Sequence, residues 1–324
     1  VNDYFKKQIL RVTRASSLGE KELIQNLWSN YGEILRYKLI DSEYSSIVLK
    51  HVKLPISSSL HPRGWNSANS HNRKIRSYEV ECQWYKNWAD KCSPDCRIPK
   101  CLNINEHDKE VLILLEDLNQ SGYSVRKTDV DLDDIKLCIT WLANFHGTFI
   151  NTPPKGLWEK GTYWHLETRP DELEALKDTE LKEAATLIDK KLENTRYKTI
   201  LHGDAKLANF CFSNSNKDVA AVDFQYVGGG VGVKDLAYFV GSCLYEEDCE
   251  KYEKELLDHY FKSLKLKLIK ENSIINFKEL EREWRLLYPV AWTDFYRFLK
   301  GWSPGHWKIN SYSQRVTRRV LEDL

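Results

Sequence analysis

The densest chemistry in the chain lies near its middle. In Leu201-His202-Gly203-Asp204-Ala205-Lys206-Leu207-Ala208-Asn209 a carboxylate precedes an asparagine by five residues, and a hairpin-sized gap later comes Val222-Asp223-Phe224-Gln225. Phosphoryl transfer to a hydroxyl calls for this set: an Asp near the hydroxyl, an Asn five residues on for a metal, and an Asp from a following strand for the same metals. The spacing H-x-D-x-K-x-x-N parallels a phosphoryl-transfer catalytic loop, with Asp-Phe-Gln standing where Asp-Phe-Gly would. Either string alone is ordinary turn composition. Their joint occurrence in this order points to chemistry.

Such residues need strands and turns to hold them. Thr199-Ile200-Leu201 and Val219-Ala220-Ala221-Val222 are short strand-like runs leading into His202 and Asp223. Upstream, residues 33–40 and 45–52 read as strands around the polar turn Asp41-Ser42-Glu43, and Val111-Leu112-Ile113-Leu114-Leu115 as a short buried strand. Between them, residues 55–73 form a loop rich in Ser, Asn, Pro and His, and residues 74–90 have helical spacing at Tyr78, Cys82, Tyr85 and Ala89. Residues 21–31, with Leu23, Ile24, Leu27 and Trp28, suit a helix or a turn into a strand. After Gly122 helices dominate: residues 132–150 carry Ile135, Ile139, Leu142, Ala143 and His146 on one stripe, residues 171–192 are helical in composition, and the section from Tyr252 is helical and aromatic.

Composition narrows the function classes. The 324 residues suit about two structural units with a sizeable core. Forty-eight Lys and Arg against 47 Asp and Glu leave a net charge of +1, which gives no global field for nucleic acid or an anionic membrane. No stretch approaches the roughly 18 apolar residues of a membrane span. Val1-Asn2-Asp3-Tyr4-Phe5-Lys6-Lys7 lacks the apolar run of a secretory signal, so a cytoplasmic location is the expectation. The eight cysteines read as reduced thiols, and Cys92, Cys96 and Cys101 lack the spacing of a zinc site.

With these residues in view, the chain resembles the aminoglycoside phosphotransferase and choline kinase-like superfamily, and most closely its ecdysteroid kinase-like branch. The resemblance is carried by His202-Gly203-Asp204 with Asn209, Val222-Asp223-Phe224-Gln225-Tyr226, Lys234-Asp235-Leu236-Ala237-Tyr238-Phe239 and Leu115-Glu116-Asp117-Leu118, with weaker matches at Lys50, Glu81 and Phe145-His146. It implies a protein-kinase-like bilobal fold and ATP-dependent phosphorylation of a small-molecule hydroxyl. On that resemblance Asp204 is the base or hydroxyl-orienting carboxylate, and Asn209 with Asp223 holds Mg²⁺ against the phosphates. Lys206 would lend charge to the transferring group, or is a solvated surface lysine. His202 packs within the loop, and Asp235 fixes it.

Lys50 ends a β-branched run, which suits the strand lysine that pairs with ATP phosphates and with a helix glutamate; Glu81 is the chosen partner, with Lys53 and Glu79 as close alternatives. Glu116 and Leu118 are the family-based choices for a hinge that offers backbone groups to adenine. The segment Trp28-Ser29-Asn30-Tyr31-Gly32-Glu33 departs from a glycine-rich phosphate loop, having one glycine.

Two tempting motifs fail. Gly228-Gly229-Gly230-Val231-Gly232-Val233-Lys234 matches neither phosphate-loop register and reads as a flexible loop. Gly301-Trp302-Ser303-Pro304-Gly305 has the form of a nucleophile elbow, but Pro304 has no N–H to give an oxyanion hole, and the preceding segment reads as helix. The C-terminal aromatics are core first; as a pocket they would cage a cationic amine, for which Asp294 is suited, or form a greasy wall for a steroid-like alcohol.

The expectation is therefore an α+β, protein-kinase-like bilobal enzyme, with a small β-rich N-lobe over residues 1–118 and a larger helical C-lobe over 119–324. It would transfer the γ-phosphoryl group of ATP, with Mg²⁺, to an amino alcohol, an aminoglycoside-like or a steroid-like alcohol. The alternative is a silent nucleotide-binding pseudokinase, favoured if Lys50 and Glu81 do not meet or if Asp204 is blocked. The expected partner is a small-molecule hydroxyl acceptor, with no nucleic acid and no membrane.

Overall fold

The computed structural model describes residues 1–27, 31–53 and 68–324. The Trp28–Asn30 part of the single-glycine segment and most of the Pro55 to Arg73 loop lie outside these residues. The chain runs α1 (Asp3–Thr13), β1 (Ser17–Asn26), β2 (Gly32–Ile40), β3 (Ser46–Lys53), α2 (Ala68–Asn87), β4 (Cys101–His107) and β5 (Glu110–Glu116). Among the described residues the strands form one antiparallel sheet in the order β1-β2-β3-β5-β4.

Strand alternation decides what each face of this sheet meets. Leu112 and Leu114 of β5, with Leu49 of β3 and Leu35 of β2, pack under Phe5 and Ile9 of α1. Ile113 and Leu115 point the other way, into the cluster that holds Val80 and Tyr85 of α2. Lys50 lies opposite Ile113 in the β3–β5 register, so it shares the α2 face. Its place in a period-2 pattern thus aims its ammonium at the helix.

Two elements differ from the sequence expectation. The segment 21–31, read as a helix or a turn into a strand, is strand as far as Asn26, within β1 (Ser17–Asn26), an edge strand exposed along most of its length that carries no period-2 apolar pattern to read. β4, the other edge, was not anticipated for the same reason.

The remaining chain is mostly helical: α3 (Leu132–Thr148), α4 (Pro170–Ala175), α5 (Thr179–Glu193), β6 (Thr199–Leu201), β7 (Phe210–Phe212), β8 (Val219–Ala221), β9 (Gly228–Gly230), α6 (Val233–Cys243), α7 (Glu246–Lys270), α8 (Phe277–Trp302) and α9 (Ser311–Glu322). Helix α3 begins in a capping box between Asp131 and Asp134, and its apolar stripe buries Ile135, Ile139, Leu142 and His146. Along α8, Trp284, Tyr288, Trp292, Phe295 and Phe298 are buried, so these aromatics are core before anything else. Helix α8 runs through Trp302, which removes the strand a nucleophile elbow needs.

The Gly228–Gly230 run is not a flexible loop. It pairs antiparallel with Thr199–Leu201, and on its other side the Gly229 N–H donates to the Trp158 carbonyl at 3.1 Å while the Gly229 carbonyl accepts from the Gly161 N–H at 2.8 Å. A Cβ on Gly228 would meet the Trp158 carbonyl oxygen at 2.3 Å, so close approach of a second backbone explains the glycine.

Candidate active site

The strand β6 delivers His202, and a tight turn at Gly203 reverses the chain into Asp204. Gly203 has φ +81°, and a Cβ there would meet the Tyr226 carbonyl oxygen at 2.0 Å, so this turn admits glycine alone. The turn is tied from α6: the Asp235 carboxylate accepts the His202 N–H at 2.6 Å and the Gly203 N–H at 3.0 Å, and lies 3.1 Å from His146 Nε2. His202 is fully buried, with Nε2 on the Val222 carbonyl at 3.0 Å and Nδ1 accepting from the Asp204 N–H at 3.3 Å. Both nitrogens are thereby engaged within the loop, as a packing role requires, and burial pushes its pKa down.

Asp204 faces the cleft between the sheet and the helical lobe. Its Oδ2 accepts from Lys206 Nζ at 3.0 Å and from Asn209 Nδ2 at 3.2 Å, and its Oδ1 from the Tyr238 hydroxyl at 3.1 Å. Asn209 Nδ2 also donates to the Asp204 carbonyl at 2.8 Å, which leaves the amide oxygen as the group Asn209 can offer elsewhere. Burial opposes the charge of Lys206, but Asp204 and Asp223 outweigh it and hold its pKa above the ordinary value.

Asp223 follows β8 in a left-handed conformation, φ +71°, a backbone state that non-glycine residues rarely adopt and that clusters at functional sites. Its Oδ1 meets Lys50 Nζ at 2.9 Å, and the same ammonium meets Glu81 Oε2 at 2.7 Å. Lys50 and Glu81 are both buried, at 4% and 1% exposure, so the ammonium sits between two carboxylates out of bulk water. Burial would lower the Lys50 pKa, but Asp223 and Glu81 together raise it. Burial likewise opposes the Asp223 charge, and Lys50 with Lys206 reverses the balance and holds its carboxyl low. Glu81 moves the other way, pushed up chiefly by burial. The close alternatives are excluded by position: Lys53 is exposed at the strand end, and Glu79 pairs with Arg76 on the outer face of α2 at 3.2 Å.

At the end of β5 the Glu116 side chain is committed to Arg97, Ser121 and the Lys100 N–H, and its own N–H donates to the Lys100 carbonyl at 2.9 Å. The Leu118 carbonyl accepts from the Tyr123 N–H at 2.9 Å. The Glu116 carbonyl and the Leu118 N–H take no part in these bonds. Asp117 anchors the turn between them, accepting from Arg36 at 2.8 Å and Ser46 at 2.5 Å.

One cleft of about 1150 Å³ is lined by Lys50, Glu81, Glu116, Leu118, Asp204, Lys206, Asn209 and Asp223 together. Residues distant in sequence are thus brought to a single cavity. Asp294 is not among them: it is buried against Lys234 at 3.2 Å, Arg297 at 2.9 Å and Trp164 Nε1 at 3.2 Å, so it cannot meet a cationic acceptor. Phe295, Trp302 and Trp307 do line the cleft. Tyr238 was missed as a site residue, although its signal was present: Asp235 and Tyr238, three apart, share the face of α6 that meets the His202–Asn209 segment. The cleft also takes in Arg169 and Lys308, for which no local pattern exists.

A second cluster, His165, Asp189 and Glu193, has ligand atoms within 4.8 Å of one another, but Lys160 already bonds Asp189 at 3.0 Å and Glu193, so an ammonium supplies the cation there. All eight cysteines are free thiols. No helix among the described residues is long and apolar enough to cross a membrane.

Fold and cleft together define a kinase-like class, and the comparisons agree. Residues 65–152 and 158–272, more than half of the chain, match the model of the Ecdysteroid kinase-like family, and the chain belongs to that family. The fold is that of an ethanolamine kinase from Plasmodium vivax, 13% identical with a TM-score of 0.54 over 97% of this chain and 84% of that one. It is also that of a microcompartment-associated aminopropanol kinase, 15% identical with a TM-score of 0.52 over 99% and 98% of the two chains. At these identities the likeness concerns the fold alone. No curated protein matches the sequence.

Proposed function

We propose that the chain is a small-molecule kinase that transfers the γ-phosphoryl group of ATP to a hydroxyl of a small acceptor. The observation that carries the reading is Lys50 Nζ standing between Glu81 at 2.7 Å and Asp223 at 2.9 Å, on the wall of a cleft whose far side presents Asp204. In this arrangement Glu81 orients Lys50 toward ATP phosphates, and Asp204 accepts or orients the acceptor hydroxyl proton. Lys206 adds positive charge beside Asp204. The Glu116 carbonyl and the Leu118 N–H, two residues apart, form an acceptor and donor pair of the kind that reads an adenine edge.

The donor set fits Mg²⁺: a carboxylate at Asp223 and the amide oxygen of Asn209, whose nitrogen is turned to Asp204, are hard oxygen ligands. When bound, the metal neutralises charge building on the phosphates. The silent nucleotide-binder alternative would be favoured by Lys50 and Glu81 standing apart or by a blocked Asp204; the 2.7 Å contact and the opening of Asp204 onto the cleft both speak for the kinase reading.

The test is Mg²⁺-dependent ATP turnover against a panel of hydroxylated small molecules, with Asp204→Ala and Asp223→Ala beside the native chain. Turnover stimulated by an acceptor and lost in both variants supports the reading. Absence of ATP binding would sink it, and ATP binding without phosphorylation of any acceptor would return the silent binder.

A further inference from the structure

The end of the cleft around Asp204 is walled by rings. Tyr238, which donates to Asp204, lies 5.6 Å from Tyr163 and 4.8 Å from Phe295, centre to centre. Lys308, from the segment between α8 and α9, lies over this wall, its Nζ 5.1 Å from the ring centre of Tyr238 and 5.5 Å from those of Phe295 and Trp307. Among the described residues it has no carboxylate partner in contact. Asp204 acts on it only through its field, while burial and Lys206 hold its pKa down at about 8. At neutral pH it is therefore a charged ammonium, partly buried and held by ring faces in place of a carboxylate, so an anion that enters the cleft finds it unpaired.

A second group of cations lines the same cleft. The Arg169 guanidinium lies 5.6 Å from the Tyr163 ring but is already paired with the buried Glu172 at 2.9 Å, and Arg73 feels Arg169 as a like charge that adds to the effect of burial, so Lys308 is the cation of this wall that has no carboxylate in contact among the described residues. Burial alone would raise the Tyr226 phenol, yet Lys74, Arg169 and Arg73 together pull it below its ordinary value. The positive potential here is thus felt by a third side chain. Asp204 is already engaged by Lys206, and Asp294 by Lys234 and Arg297, so neither carboxylate is left for a cationic amine.

We infer that the acceptor is an alcohol with an apolar body that lies against these rings and an anionic substituent, such as a carboxylate, and that Lys308 is the specificity-determining residue that receives this substituent. The inference rests on the small-molecule kinase reading. It sets this cleft apart from one made for a cationic amino alcohol, which would place a carboxylate where Lys308 stands.

The test is calorimetric binding of three probes on one four-ring skeleton: cholate, its neutral methyl ester and the corresponding primary amine, each with and without Mg·ADP. Cholate is expected to bind at least about tenfold more tightly than the ester, with the amine weakest, as a charge-assisted contact in a partly dry site implies. Lys308→Gln should bring cholate to within about twofold of the ester while leaving ester and Mg·ADP binding in place, and Lys308→Arg should keep the preference. A melting curve checks that both variants fold.

Ester or amine binding as tight as cholate overturns the inference, as does failure of all three probes to bind. Loss of Mg·ADP affinity in Lys308→Gln, in place of cholate affinity, also overturns it, by assigning the residue to the nucleotide. Because Mg·ADP is titrated separately, a chain that binds it but shows no anion preference loses only this inference. A chain that binds no nucleotide loses the kinase reading.

Discussion

Asp235 Oδ1 accepts the backbone N–H of Gly203 at 3.0 Å, so a carboxylate on α6 fixes the turn that presents Asp204. The other oxygen takes the His202 N–H at 2.6 Å, and both groups are fully out of solvent. Asp235→Asn would turn an amide N–H toward one of two N–H donors. The expected cost is about 2–3 kcal/mol of unfolding free energy, read from urea denaturation, with turnover falling as the loop loosens. Unchanged stability would show that the tie is not what holds the turn.

Lys50→Met removes the ammonium from between two carboxylates. Turnover should fall by about a hundredfold or more, with weaker MgATP binding, on the scale seen when one preorganised charge is lost. Glu81→Gln leaves the Asp223 contact in place and should cost less, about tenfold. Steady-state kinetics with ATP varied separates the two.

Tyr238→Phe deletes the hydroxyl that donates to Asp204 at 3.1 Å and little else. Tyr238 acts through Asp204 and so is a positioning residue. The expected result is a kcat lowered by about fivefold to tenfold with the acceptor KM unchanged. A raised KM with unchanged kcat would assign the hydroxyl to acceptor binding instead.

Gly203→Ala places a Cβ on a backbone at φ +81° and against the Tyr226 carbonyl. The left-handed conformation alone costs about 1–2 kcal/mol, and relief of the clash must displace Asp204. Thermal denaturation should show the loss, and activity should be abolished even where the variant folds.

The pH dependence of Lys308 has a definite sign. Its pKa falls from 10.5 in the unfolded chain to about 8 in the folded one, because burial opposes its charge. The unfolded state therefore binds more protons between those values, and the cost of the buried charge, full below pH 8, is relieved as pH rises toward 10.5. Lys308→Gln should be more stable than the native chain at pH 7, and the difference should shrink by pH 10. Urea denaturation of both proteins across that range, compared at each pH, cancels the cysteine and tyrosine titrations they share.

Much of the site was legible because its residues are local to strands and turns. Asn209 and Asp223 flank the short β7–β8 hairpin, and His202 and Asp204 lie in the turn that leads from β6 to it, so spacing in sequence is close to spacing in space. Lys50 was legible from its place in a β-branched run, and period-2 alternation aims it at α2. Glu81 could be named but not separated from Glu79, since only the phase of helix α2 decides which one faces the sheet. Edge strands β1 and β4 were obscured by having no face wholly buried. Gly228–Gly230 was misread as flexible because triple glycine describes both a mobile loop and a strand crowded by another backbone, and the second chain segment lies some seventy residues away in sequence. Lys308 and Arg169 belong to the cleft through tertiary packing, which leaves no periodic trace.

The ammonium of Lys50 touches Glu81 of α2 on one side and Asp223, which follows β8, on the other. It is therefore a buried latch between the two sides of the cleft and, in the proposed kinase, a phosphate ligand as well. Spreading the two halves must pull an ion pair apart in surroundings where screening by salt is weak. A phosphate that competes for the same ammonium loosens that latch as it binds. Gripping the nucleotide and setting the opening angle are then a single mechanical event, so the stiffness of the hinge is expected to depend on what occupies the cleft.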